Sequence, residues 1–471
     1  MKKLTALAML FYAAGVFAQN SPLDLKSAIS TALKNNPSVA AAKKNSESAA
    51  LGASASKGKY LPRIDVTAVA VKMNDPLTLD FNDIRTAIIG ASAAAYAGAA
   101  GAGANVPAFT QSLGSSIPSF EKKVLDDTFV RLMAVVTQPI FTGFKISANA
   151  KVKKLEKTVG EINYENAKNA VITATIEDYY RTKLAASVTE IRKDLQKNIE
   201  GHVSNAKKLF NNGIISKANL LKAEVALAEA KKEYQKALMD KELAEVLLTN
   251  TLGIKTGMPE LSSPMKMIGA GKDCAYFEEK ALQNNLSLKL LDAKKEMLEQ
   301  KHKAAAGNFL PAVAAVGQYQ ILRDKLTDLE PEWALGLTAS VNVFGGGSDF
   351  HEIRAAKAGI EAVKSQSENV KDLIYTAVKN FYHRCETAKK DYEALESAQK
   401  LAEENLKLYK ASFAEGLATS LEVVDSELAL TKIKLDREKA VFEYNGAYAN
   451  LLNVCAAAQE ENIGFAPEDT K

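Results

Sequence analysis

Twelve prolines punctuate this 471-residue chain, and none falls between Ile140 and Met258 or between Glu332 and Ala466. Proline inside a helix removes a backbone hydrogen bond and clashes with the preceding turn, so these two gaps are where helices can run unbroken. In the first gap Val152, Leu155, Val159 and Ile162 recur at spacings of three and four, and Leu184, Val188, Ile191 and Leu195 resume the pattern. That is a coiled-coil stripe. It predicts a helix from about Lys145 to Leu209, ~98 Å long at 1.5 Å per residue, more than a globular domain needs and suited to a strut or a wall.

The chain then turns back. "FNNGIISKANLL" begins at Phe210 and "FAEGLATSLEVV" at Phe413, 203 residues later (413 − 210), so one glycine turn is written twice between long helices. After the first turn Leu220, Leu227 and Tyr234 alternate with Ala223, Ala230, Ala237 and Ala244, and small residues at every second core position let helices approach closely. The second copy keeps the register with Val423, Ser426, Leu430, Ile433, Ala440, Tyr444 and Ala447. Each copy reads as a helical hairpin.

The repeat reaches beyond the hairpins. "ALKNNPS" at Ala32 matches "ALQNNLS" at Ala281, and "KYLPRI" at Lys59 matches "NFLPAV" at Asn308, both displaced by 249; "QPIFTGF" at Gln138 matches "VNVFGGG" at Val341, displaced by 203. The chain is a tandem duplication, and the difference of 46 (249 − 203) is an insertion in the first copy between Pro62 and Phe141. It falls on the uncharged, Ala/Gly-rich stretch Thr86 to Phe120, expected to be a loop with at most a short helix.

Between the matched ends the period drops to two. Trp333, Leu335, Leu337, Ala339, Val341 and Val343 alternate with small or polar residues, and Val130, Leu132, Ala134 and Val136 occupy the equivalent apolar face in the first copy. Partner strands are expected over Arg63 to Met73 and Ala312 to Leu322, giving one β-hairpin per copy and four strands per chain. Leu335 and Leu337 should share one face, Thr338 and Ser340 the other. Four strands cannot close a barrel in lipid, where open edges leave backbone groups unpaired, so membrane-spanning strands would need two or more chains to share one barrel. The alternative is a helix-covered sheet in a soluble protein.

The domain organisation read from these features is a signal peptide over 1–18, with Lys2 and Lys3 before an apolar run; a first repeat over 19–253, with strands at about 62–73 and 128–141 and a hairpin at about 145–250; a linker over 254–276; a second repeat over 277–456, with strands at about 311–322 and 332–344 and a hairpin at about 348–455; and a tail over 457–471. The three cysteines, Cys274, Cys385 and Cys455, are too scattered for a disulfide framework and read as structural thiols. His202, His302, His351 and His383 stand alone without metal-ligand spacing and read as helix-surface residues. "FGGGSDF" at Phe344 lacks the Gly-Lys-Ser/Thr of a phosphate loop and reads as a strand-to-helix turn. No catalytic residue, metal site or cofactor is expected, and a formal charge of +4 with lysine and glutamate interleaved argues against nucleic acid as a partner.

The signal peptide, the strand pairs opening with "YLP" and "FLP", the proline-free hairpins, the tips "FNNG" and "FAEG" and the duplication together resemble the TolC family of outer-membrane efflux proteins over nearly all of the mature chain. The resemblance implies a mainly α fold with β: a homotrimer whose four strands per chain build a shared 12-stranded barrel in outer-membrane lipid and whose coiled-coil hairpins continue it as a periplasmic tunnel. It implies an exit duct, not an enzyme, for a tripartite efflux pump or type I secretion system, located in the outer membrane and extending into the periplasm. A periplasmic adaptor, itself bound to an inner-membrane pump, would dock at the tips, where Gly213 and Gly416 allow positive-φ turns and Ser216 and Thr419 cap the returning helices. The gate would lie at Glu422 and Asp425, with Asn219 at the matching first-tip position. Thr419-Ser-Leu-Glu422 equally fits a capping box. In well-known members an aromatic hydroxyl and a basic residue help lock the closed state; those positions here are Phe413 and Ala418. A soluble periplasmic coiled-coil scaffold, or an adaptor, is the alternative class.

Overall fold

The computed structural model describes residues 22–255, 257–269, 271–324 and 331–458. The leader expected at 1–18 and the tail from 459 onward lie outside them. The first repeat runs α1 (Leu25–Asn35), α2 (Pro37–Lys57), β1 (Arg63–Lys72), β2 (Leu77–Asp80), α3 (Asn82–Ala100), α4 (Val106–Ser116), β3 (Glu121–Leu125), β4 (Thr128–Thr142), α5 (Lys145–Asn211) and α6 (Lys217–Leu252). The second runs α7 (Cys274–Asn284), α8 (Leu286–Ala306), β5 (Ala312–Asp324), β6 (Trp333–Ser340), α9 (Ser348–Ala414) and α10 (Ser420–Val454). The chain divides into two compact units, one made of Ser54–Lys151 and Gln300–Ala356, the other of Val152–Glu299 with the described parts of 1–53 and 357–471.

The first unit carries an antiparallel sheet in the order β1-β4-β5-β6. Its register sorts the residues by face. Ile64 and Val66 pair with Val136 and Ala134, which pair in turn with Gly317 and Tyr319, which face Leu335 and Trp333. This face is apolar, and most of it is open: Ile64, Val66, Trp333, Leu335 and Leu337 are all exposed. Leu335 leans over Gly317, where a Cβ would come within 2.9 Å of its Cδ2. The opposite face carries Arg63, Asp65, Thr67, Arg131, Gln318 and Thr338, so Leu337 and Thr338 do point to opposite sides. The strand ends at Ser340, and Val341 to Phe344 lead out of the sheet.

The β1–β4 ribbon continues past Lys72, through the Met73 N–H donating to Asp127 O at 2.6 Å, into a second, two-stranded sheet of β2 and β3. The insertion at its far end is not a loop but a helical pair, α3 and α4. Alanine has the highest helix propensity of any residue, and the break falls at Gly101, with φ +62°, rather than along the alanines. The pair is fastened by Arg85, whose guanidinium donates to the carbonyls of Ile117 (2.7 Å) and Gly114, and by a stacked contact of Tyr96 with Phe109 at 4.3 Å between centroids.

Where the chain leaves β4 for α5, Gly143 and Phe144 both have positive φ (60° and 65°); at the matching junction after β6, Gly346 and Gly347 do the same (66° and 80°). Gly143 also lies so close to Gly307, between α8 and β5, that a Cβ on either would collide with the other's carbonyl oxygen.

The second unit is helical. Its core collects Ile172, Ile176, Tyr179 and Tyr180 of α5, Leu248 and Leu252 of α6, Val378 of α9 and Leu451 and Leu452 of α10. The alanines at 223, 230, 237 and 244 are all buried, and they bring α6 close enough to α5 for Thr182 and Thr189, seven residues apart, to donate to the carbonyls of Ala244 and Ala237 at 3.1 Å each. Each repeat opens with a helix pair broken at an asparagine. Asn36 accepts from Ser38 N at 2.9 Å and donates to Thr251 O at 3.0 Å; Asn285 accepts from Ser287 N at 2.9 Å and donates to Val454 O at 2.9 Å. The duplication thus extends to individual hydrogen bonds.

Candidate functional site

The two hairpin tips are built alike. At the first, Gly213 N donates to Phe210 O (2.9 Å) and Ile214 N to Leu209 O (2.9 Å); at the second, Gly416 N donates to Phe413 O (3.1 Å) and Leu417 N to Ser412 O (2.8 Å). Both glycines have φ +76°, the left-handed conformation that ends a helix without a Cβ penalty. Ser216 and Thr419 are the N-caps of α6 and α10, accepting from Asn219 N (3.4 Å) and Glu422 N (3.3 Å).

Only the second tip has the reciprocal half of a capping box: the Glu422 carboxylate accepts from Thr419 N at 2.7 Å and from its hydroxyl at 2.8 Å. The backbone N–H first, then the hydroxyl, hold this carboxylate below the usual glutamate range. Asn219 fills the same position of the first tip half-buried, while Asp425, one turn further along α10, is exposed. Ile214 and Leu417 project from the turns at 56% and 79% exposure, so the tips present apolar knobs as well as polar caps.

Beneath the second tip lies a polar cluster that the sequence reading missed. His202 of α5 is buried, not on the surface, with Nε2 2.6 Å from Ser420 Oγ and its ring 4.7 Å from that of Phe413. Burial pushes its pKa below the ordinary histidine value; the nearby Glu427 carboxylate pulls the other way without prevailing. Glu427, itself 3% exposed, is paired with Lys410 of α9 and accepts from Asn198 Nδ2 of α5 at 3.3 Å. These contacts tie α5 of the first hairpin to α9 and α10 of the second, around an apolar set of Leu195, Ile199, Val203, Ala206, Ala223 and Val423. A cleft of about 550 Å³ opens beside them, lined by Lys197, Asn205, Lys208 and Lys410 together with His202 and Phe413. Phe413 is a packing residue here, and Ala418 lies against the same cluster. The signal for His202 was present: Leu195, Ile199, His202 and Ala206 follow helical spacing, which places the imidazole on the apolar stripe.

Among the described residues no group of His, Cys, Asp and Glu could hold a metal ion, and Cys274, Cys385 and Cys455 form no disulfide, the last two being buried. No described helix is long and apolar enough to cross a membrane.

The model of the outer membrane efflux protein family matches residues 28–254 and 278–454, the two repeats in turn. The chain belongs to this family. Outer membrane efflux proteins are channels rather than enzymes, and this one is an exit duct for efflux, placed in the outer membrane of a Gram-negative bacterium and reaching into the periplasm. Its fold is that of TolC-like channels. The Campylobacter jejuni CmeC outer membrane channel superposes with a TM-score of 0.71 at 14% identity, over 93% of this chain and 87% of that one. VceC of Vibrio cholerae gives 0.71 at 14% identity, over 92% and 96%. The open state of the Neisseria gonorrhoeae MtrE channel gives 0.67 at 15%, over 92% and 89%. None of the curated protein sequences matches this chain.

Proposed function

We propose that three copies of this efflux protein close a single 12-stranded barrel, β6 of each pairing with β1 of the next, and that the six hairpin tips form the periplasmic end of the duct. The observation that carries this reading is the sheet. Among the described residues it has one apolar face, an opposite face that mixes charged and polar side chains with apolar ones, and two terminal strands, β1 and β6, each paired on one side only. Lipid leaves no water to satisfy such edges, so the sheet must find copies of itself.

At the other end the tips dock the hairpins of a periplasmic adaptor held by an inner-membrane pump; Ile214 and Leu417 beside the positive-φ glycines Gly213 and Gly416, with the caps Ser216 and Thr419, are the contact points. Asp425 carries the gate, with Glu422 on the turn before it and Asn219 at the position matching Glu422 in the first tip. Three copies bring these carboxylates into one ring, whose negative field favours cations. The capping role of Glu422 makes Asp425 the freer of the two charges.

The test has two arms. Extraction from outer membranes requires detergent and yields a trimer by light scattering; a monomer released by osmotic shock overturns the barrel. A photo-crosslinker at Leu417 joins the chain to a co-expressed adaptor, and intact trimers that never form this adduct leave the tips as simple turns.

A further inference from the structure

We infer that the helical pair α3–α4 docks against the same pair of a neighbouring copy, forming a largely apolar collar at the outer mouth of the barrel. The inference rests on the trimeric reading above and concerns a segment that neither the strands nor the tips account for. The pair grows from the β1–β4 ribbon at the end remote from the strand-to-helix junctions, which is the cell-exterior end when the helices lie in the periplasm. β1 is an edge strand, so the ribbon runs along the seam where the next copy joins, and the pair continues that seam beyond the barrel.

The surface of the pair calls for a partner. Arg85 spends its charge on the carbonyls of Gly114 and Ile117, and no charged residue follows until Glu121. Ile89 and Ala93 are buried in the pair, whereas Ile84 and Ile88, at 57% and 51% exposure, share an uncovered face with Ala91 and Ala95 at helical spacing. A helix resting on lipid headgroups carries lysine or arginine on one side and aromatic anchors on the other. This face has no lysine or arginine, and Tyr96 and Phe109 are stacked on each other, which leaves Phe81 at the start of the stripe as its one exposed aromatic ring. The face suits another helix of its own kind, and the copy adjoining the seam supplies one.

The experiment places a thiol on that face of the full chain. Ile88→Cys in purified trimers, treated with a short bis-maleimide, is expected to give covalent dimers on denaturing gels, one thiol per chain allowing one link, and these are absent from the parent protein with its own three thiols. Adding Ile84→Asp to that variant should abolish the cross-link while leaving the trimer intact by light scattering. Trimers that form but never cross-link, with a fluorophore at the same thiol quenched by brominated lipid, overturn the collar in favour of a lipid contact. Absence of trimers in the parent protein overturns instead the assembly on which the collar stands.

Discussion

His202 Nε2 lies 2.6 Å from the Oγ of Ser420, joining the first hairpin to the start of α10 beneath the second tip. The folded imidazole resists protonation because it is buried, so its pKa falls below the ordinary 6.5. Below about 6.5 the unfolded chain takes up a proton that the folded chain does not, so stability is lost as pH falls from there to the folded pKa, and not further. The protection factors of the tip amides, corrected for intrinsic exchange, should therefore fall as the pH drops below about 6.5. His202→Gln should flatten that dependence; an unchanged profile would show that the acid response lies elsewhere. Ser420→Ala should cost about 1 kcal/mol of stability.

The strand faces are separable by charge. Leu337→Arg places a cation on the apolar face, at about 2–4 kcal/mol near the bilayer midplane, while Thr338→Arg joins a face that already holds Arg131 and Asp65. Assembly into heat-sensitive trimers should fail for the first and survive for the second. Equal tolerance would refute the assignment of faces.

Two glycines with positive φ differ in what surrounds them. Gly213 has open space about its missing Cβ, whereas Gly143 meets the backbone of Gly307. Gly213→Ala should cost only about 1 kcal/mol of local strain, and Gly143→Ala, which adds the same methyl, should block folding of the sheet unit. Circular dichroism and trimer yield decide between them.

Docking is probed at the tips themselves. Valine at both Gly213 and Gly416 strains two turns whose φ is +76° without touching sheet or core. Trimers should form normally and export should stop; full export by the double variant would reduce the tips to connectors.

The gate carboxylates can be read one at a time in planar bilayers. Asp425→Asn should remove most of the cation preference and the block by a trivalent cation added at the periplasmic side. Glu422→Gln should act mainly and mildly on stability, since glutamine can keep the capping-box hydrogen bond and loses only the charge at the helix N-terminus. Selectivity unchanged in both would remove the ring of charge from the mechanism.

Much of this was legible because the chain repeats itself. The tip hydrogen bonds recur at 203 residues, and buried Ala223, Ala230, Ala237 and Ala244 are the positions the heptads mark. Misses occurred where a residue's partner is remote. His202 looked like a lone surface histidine because Ser420 and Glu427 are more than 200 positions away. The α3–α4 pair looked like a loop because alanine and glycine were weighed together, and its Arg85 clamp closes across 29 and 32 residues. Asn36 and Asn285 were matched as motifs without revealing that they break helices, since what they hold is the carbonyl ending the hairpin of their own repeat.

The open strands β1 and β6 also set the order of events in biogenesis. A lone copy entering lipid would carry two rows of unsatisfied amides and carbonyls into a solvent that cannot hydrate them, and in water the same rows recruit any extended chain that passes. On the trimeric reading proposed above, insertion and subunit joining become one reaction, steep in concentration.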